Sequence, residues 1–180
     1  MASQYTLVSQ VSLPSQSAVS NIYKSPNLAD AFAIELPSNA STDPELLASF
    51  LFAHQPAWIG MLTQVRDILV SLFGLKTAKY LATLASDART KRIGIFKVYS
   101  TSAAEVVLGE DDKHLDFRVS LLCSTESAPQ QRRILIASTV VRCHNRLGRA
   151  YLFVIAPFHR WVVKASLRRA AHIGWPMAGT

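Results

Sequence analysis

The sequence predicts an α+β fold in which a curved antiparallel sheet packs against helices, and three observations carry that prediction. Helix signals fill 44–74 after a first short strand, alternating strand-like runs fill 93–156, and a proline-led amphipathic stretch closes the chain at a glycine. Hydrophobic residues make up 49% of the 180, enough for one sizeable core, so one domain is expected and a disordered or collagen-like chain is excluded.

Residues 1–28 lack the basic start and continuous apolar run of a secretory signal and read as a flexible arm. A single domain is placed at 29–173 and a tail at 174–180. Residues 30–36 alternate as a short strand. Asp43 then caps a helix over 44–54, with Pro44 in its first turn and Glu45 at the positive end of its dipole. Pro56 opens a second helix, in which Trp58, Leu62, Val65, Leu69 and Leu72 step by three and four and Gly74 is the stop. The span 46–65 has no formal charge and is 20 residues long, the length of a transmembrane helix, but His54, Gln55, Pro56 and Gly60 split it into two ordinary helices. Residues 76–92 are a loop or loose helix. Strands follow at 93–100, 104–109, 113–122, 132–144 and 149–156, joined by turns at 110–112, 124–131 and 145–148, so neighbours are expected to run antiparallel. Pro157 starts the last helix, which runs to 172 before Gly174 and turns Phe158, Trp161, Val162, Ala165 and Leu167 to the core.

Charge is uneven. The formal total is +7, and nine of the 19 Lys and Arg lie in 132–169 while no acid follows Glu126. The excess belongs to the last third, which is either a solvated basic face or a site for an acidic partner. Arg160, Lys164 and Arg168 form a stripe at helical spacing, a pattern that suits a solvated helix back or an anionic membrane. Nucleic acid is disfavoured because no aromatic platform is interleaved with the basic residues.

If the loop at 124–131 closes a regular hairpin, His114 faces Arg142, Asp116 faces Val140, and a second hairpin at 145–148 sets His144 opposite Arg149 and Arg142 opposite Tyr151. One sheet face then collects His114, Asp116, Arg118, Arg142, His144, Arg149 and Tyr151. The other collects Leu115, Phe117, Val119, Leu121, Leu135, Val141, Leu152 and Val154 and must be the side the helices cover. The polar row is either a solvent-facing ladder of opposite charges or an anion site, with Arg118 and Arg142 forking onto an acid and Asp116 orienting a histidine. His159, beside the basic stripe, is a further candidate.

Metal is not expected, because Cys143 and His144 point to opposite faces of a strand, and Cys123 and Cys143 sit too far apart to bridge. Two cysteines build no disulfide framework, so a reducing, cytoplasmic setting is expected. The glycine patterns of dinucleotide sites, P-loops and α/β-hydrolases are absent.

Two stretches, 109–118 (GEDDKHLDFR) and 144–159 (HNRLGRAYLFVIAPFH), resemble an uncharacterised bacterial domain-of-unknown-function family, found alone or fused behind an NAD(P)-binding reductase-like domain. Pro56-Ala-Trp58, the run RDILV at 66–70 and Phe73-Gly-Leu75 look like that family's earlier pattern, so the resemblance covers 29–169. The family is similar to the helix-grip superfamily (START and Bet v 1-like, SRPBCC), in which a curved sheet grips a terminal helix around a cavity. The resemblance implies a small-molecule binder without a cofactor, with a separate reductase as a conceivable partner. Its signature residues match His114, Asp116, Arg118, Asn145, Gly148, Tyr151, Pro157 and His159.

The expected function is binding of a small, mostly apolar molecule carrying an acidic group in a cavity between sheet and helix. Ligand contacts are expected from His114, Asp116, Arg118, Arg142, His144, Tyr151 and His159. The alternatives are cyclase- or hydrolase-like chemistry with Asp116 and a histidine as general base, and a docking module whose basic last third meets an acidic partner. Whether the chain is an enzyme stays open at this level, since no nucleophile or oxyanion motif is identifiable.

Overall fold

The computed structural model of the chain describes residues 7–60, 91–125 and 132–179. Seven strands, β1 (Val8–Val11), β2 (Leu28–Leu36), β3 (Arg92–Ile93), β4 (Phe96–Thr101), β5 (Glu105–Asp111), β6 (Leu115–Thr125) and β7 (Arg133–Cys143), form one antiparallel sheet in the spatial order β1-β2-β7-β6-β5-β4-β3. Two helices, α1 (Pro44–Ala53) and α2 (Arg146–Ile173), cover one face, so the α+β class expected from the alternating runs is the class observed. Residues 57–60 are also helical. The rest of the second expected helix, the loop at 76–90 and the motifs at 66–75 lie outside the described residues.

Asp43 caps α1 as its position predicts, its Oδ1 accepting from the backbone N–H of Glu45 at 2.9 Å and Leu46 at 3.3 Å. The helix buries Leu47, Ala48 and Leu51 against Phe32, Ile34, Leu108, Leu121, Leu135 and Leu167, which form the main core. Even positions of β2 and odd positions of β6 and β7 point into it, as strict alternation requires.

Three sequence readings give way to the structure. The segment 149–156 is not a fifth hairpin strand; it is the first half of α2, which starts 11 residues before Pro157. Asn145 is the reason. Its side-chain Oδ1 accepts from Gly148 N at 2.9 Å and its carbonyl from Arg149 N at 3.2 Å, a helix start in place of the expected tight turn. The β-branched run around Val154 and Ile155 mimics a strand, while Gly148, Leu152, Ile155, His159, Val163, Ser166, Leu167 and Ala170 recur at helical spacing on the buried side. Pro157 sits inside the helix on its exposed side, where the Phe153 carbonyl it leaves without an amide donor can meet water. Secondly, Glu110 and Asp111 continue β5 and the turn falls at 112–114; Gly94, at φ 59°, divides the strand expected at 93–100 into β3 and β4. Thirdly, the β6–β7 register is displaced by two residues: Asp116 faces Arg142 and Arg118 faces Val140. A two-residue shift keeps every side chain on its face, so the division of β6 and β7 into two faces survives it.

The amino-terminal segment, read from sequence as an arm, pairs through β1 with β2 and then crosses the sheet face opposite the helices. Residues 12–27 form this strap. Leu13, Val19 and Tyr23 rest on Val107, Val140, Ala31, Ala33, Leu122 and Ile136. The segment after Gly174, read as a tail, returns to the core: Trp175 is buried beside Phe50, and Ser41 N donates to the Pro176 carbonyl at 2.7 Å.

Candidate functional site

Alternation fixes which side of the sheet each polar residue occupies, and the expected polar row falls on the strap side, away from α2. Across it Asp111, Asp116 and Arg142 lie in register. Two like charges directly opposite are unfavourable unless compensated, and each carboxylate here has its own partners. Asp116 meets His144 Nε2 at 2.9 Å with Arg142 opposite it, and Asp111 accepts from Arg118 at 2.7 Å and from the Tyr99 hydroxyl at 2.6 Å. Arg118 is buried and lies over the Tyr99 ring at 3.6 Å. It reaches there because the residue opposite is Gly109, where a Cβ would stand 2.2 Å from the Phe117 carbonyl oxygen and 2.9 Å from the Arg118 side chain. Tyr99 shares parity with Lys97, which lies opposite Gly109, and so comes to this side by simple alternation. Burial alone would raise the Asp111 pKa, but the hydrogen bonds from Tyr99 and Arg118 outweigh it and hold the carboxyl below its ordinary range. Burial, then the bond to Asp111, pushes the Tyr99 phenol up. Arg118 is therefore already engaged on three sides by the protein itself.

His114 does not share this cluster with Asp116. It sits in the β5–β6 turn, its Nδ1 2.8 Å from Asn145 Nδ2 and its carbonyl accepting from His144 N at 2.8 Å. A Cβ on Gly148 would stand 2.2 Å from that same carbonyl, so Gly148 lets the first turn of α2 rest on the hairpin end. Asn145, Gly148 and His114 thus make the joint that launches α2, and Tyr151 packs one turn later on Leu115, Val141 and Cys143. Arg149 lies exposed on α2 and faces neither His144 nor the sheet row it was expected to join.

The helix side holds a different arrangement. One row runs Leu108, Val119, Thr139, Asp30 across β5, β6, β7 and β2. Val119 and Phe117, in the middle of the central strand, are only half-buried although they face the helices, and Ile155, His159 and Val162 on α2 are half-buried too. Asp30 is a buried acid on a mostly apolar face, 5% exposed. Its Oδ1 is 3.3 Å from His159 Nε2, and its Oδ2 is 3.6 Å from Arg160 Nε with no hydrogen-bond partner among the described residues. Of the seven ligand contacts expected from sequence, His159 and Tyr151 alone come from α2; Asp116, Arg118, Arg142 and His144 are gathered on the strap side, and His114 is at the joint.

Asp30 escaped the sequence reading although its signal was there: it shares parity with Phe32, Ile34 and Leu36 and so had to point into the apolar layer. Tyr99 carried the same kind of signal, since it stands at the parity opposite to Phe96 and Val98, which face the helices. Among the described residues no group of three or more metal-ligating side chains converges. Both cysteines are free thiols, Cys123 pushed up to about 11 by burial, which makes it a poor nucleophile.

Residues 22–166 match the profile of the family described as Protein of unknown function (DUF2867), and the chain belongs to that family. No curated protein and no solved structure matches it. Among the described residues no helix is long and apolar enough to cross a membrane.

Proposed function

We propose that this member of a family without an assigned activity binds a small, mostly apolar molecule between α2 and the helix-facing side of the sheet, with Asp30 and His159 at its polar end. The observation that carries the reading is the pair Phe117 and Val119, half-covered on the helix-facing side of the central strand, with the row through Val119 ending in one buried, under-satisfied carboxylate. Apolar walls with a few convergent polar groups are what small-molecule sites consist of. A long terminal helix across a curved antiparallel sheet also supports reading the fold as helix-grip, and α2 at 28 residues, about 42 Å, is long enough to span it. The polar group of the ligand changes from the sequence expectation. Arg118 and Arg142 are on the far side of the sheet, and an acid placed against buried Asp30 would be repelled, so a hydroxyl or amine donor suits Oδ2 better.

Native mass spectrometry of the freshly purified chain beside its denatured mass tests this, together with titration of an uncharged apolar fluorophore. A discrete mass lost on denaturation is expected, and Val119→Trp, which fills the row, should abolish fluorophore binding. An apo mass with fluorophore binding unchanged in Val119→Trp would reject the reading.

A second reading, hydrolase- or cyclase-like chemistry, is favoured by one contact: Asp116 orients His144, whose side chain is 37% exposed and can take a proton from a bound substrate. Loss of turnover in Asp116→Asn with the fold intact would support it over binding alone.

A further inference from the structure

The amino-terminal half of α2 is apolar on both of its sides. Residues 150–158 carry no charged side chain. The inner side faces the sheet, but Phe153 is 83% exposed, Trp161 69%, Val154 51% and Phe158 43%, with Phe158 and Trp161 edge to face at 6.4 Å. A helix apolar all round is expected in a core or against lipid, and this half is not in the core. Basic residues bracket the aromatic band along the same solvent side: exposed Arg146 and Arg149 before it, exposed Arg168 and Arg169 after it. No acid lies in the helix or after Glu126.

We propose that the solvent side of α2 docks on an anionic lipid bilayer, with Phe153, Phe158 and Trp161 at headgroup depth and Arg146, Arg149, Arg168 and Arg169 against lipid phosphates. The chemistry selects this occupant. A second copy would set two helices without acids face to face, which charge opposes. Trp and Phe beside Arg, on a helix without acids, are the composition of helices that lie in the interface of an anionic bilayer. The inference rests on the outer side of α2 and is independent of the Asp30 site, which opens on the inner side.

Co-sedimentation of the full chain with vesicles of phosphatidylcholine alone, and of phosphatidylcholine with phosphatidylglycerol, tests it. Binding to the anionic vesicles is expected, falling about fivefold for each arginine removed in Arg168→Gln and Arg169→Gln. Trp161→Ala should lower partitioning about tenfold, because the inserted ring is lost while every charge is kept. These side chains are exposed, so circular dichroism of the variants should match the parent. Equal binding to both vesicle types, no binding to either, or binding indifferent to Trp161→Ala would overturn the proposal. Capture by polyglutamate that equals capture by anionic vesicles and is also indifferent to Trp161→Ala would overturn it in favour of an acidic protein partner.

Discussion

The two faces of the sheet invert what their compositions suggest. The strap side is the polar one, yet its centre is sealed: Glu105, Arg118, Ser120 and Ser138 are all buried beneath residues 12–27. The helix side is mostly apolar, yet Phe117 and Val119 on its central strand remain half-covered and the buried acid Asp30 is short of partners. Charges that pair with one another, as Arg118 with Asp111 and His144 with Asp116, are thus a structural device, and an acid set in a mostly apolar layer with one oxygen left over is a candidate site. The strap shows how sealing works. Glu105 accepts from the Ser17 and Ser120 hydroxyls and from Ala18 N at 2.9 Å, so one carboxylate ties the strap to the sheet. Tyr23 extends the cover toward Arg118, and burial raises its phenol pKa.

The largest effect that would sharpen this contrast concerns the joint where the helix side begins. Gly148→Ala places a Cβ on the His114 carbonyl oxygen, so α2 must lift at its first turn; destabilisation of about 3 kcal/mol is expected in chemical denaturation. A neutral result would mean that the helix is free to move off the hairpin, and the two faces would no longer be held at a fixed separation. Next in size is the strap. Glu105→Ala leaves two buried hydroxyls and one half-buried N–H without their carboxylate acceptor, at a cost of about 2 kcal/mol, and limited proteolysis should then cut within residues 12–27. Resistance to proteolysis equal to the parent would break the comparison, since the strap side would then be closed by apolar contact alone.

The sheet and its two faces were legible because alternation in β6 and β7 is strict and survives a register error of two. The launch of α2 was legible only in part: Asn145 and Gly148 are turn residues and cap residues alike, and the β-branched content of 152–155 tips a local reading toward strand. Only the contact of Gly148 with His114, 34 positions earlier, decides between them. Four members of the polar row, Asp116, Arg118, Arg142 and His144, were found together while His114, Arg149 and Tyr151 were misplaced, and the cover over the row was not legible because nothing local says that residues 12–27 return to it. Ser17, Ala18 and Glu105 meet across 87 or 88 positions. Asp30 and the side taken by Tyr99 could both have been found from parity.

The smallest expected effect is in the exposed row at the rim of the strap side, and it has a definite sign. The Asp111 carboxyl is held below its ordinary range in the folded chain, so it binds a proton less readily folded than unfolded. Its contribution to stability is therefore complete above the unfolded value of about 4 and disappears as the pH falls through the folded value. Because its side chain is 52% exposed, solvent screens the pairing, and the contribution should stay under about 1 kcal/mol. Tyr99→Phe removes one of the two donors that lower the pKa, so acid unfolding of this variant should begin at a higher pH while its stability at pH 7 falls slightly. Arg118→Met at the same position of the sheet removes the other donor and the stacked cation together, and should move the acid midpoint further than Tyr99→Phe. The reverse order would mean that Tyr99 rather than Arg118 holds the carboxylate, leaving a buried guanidinium on the strap side available to a ligand and restoring that face as a site.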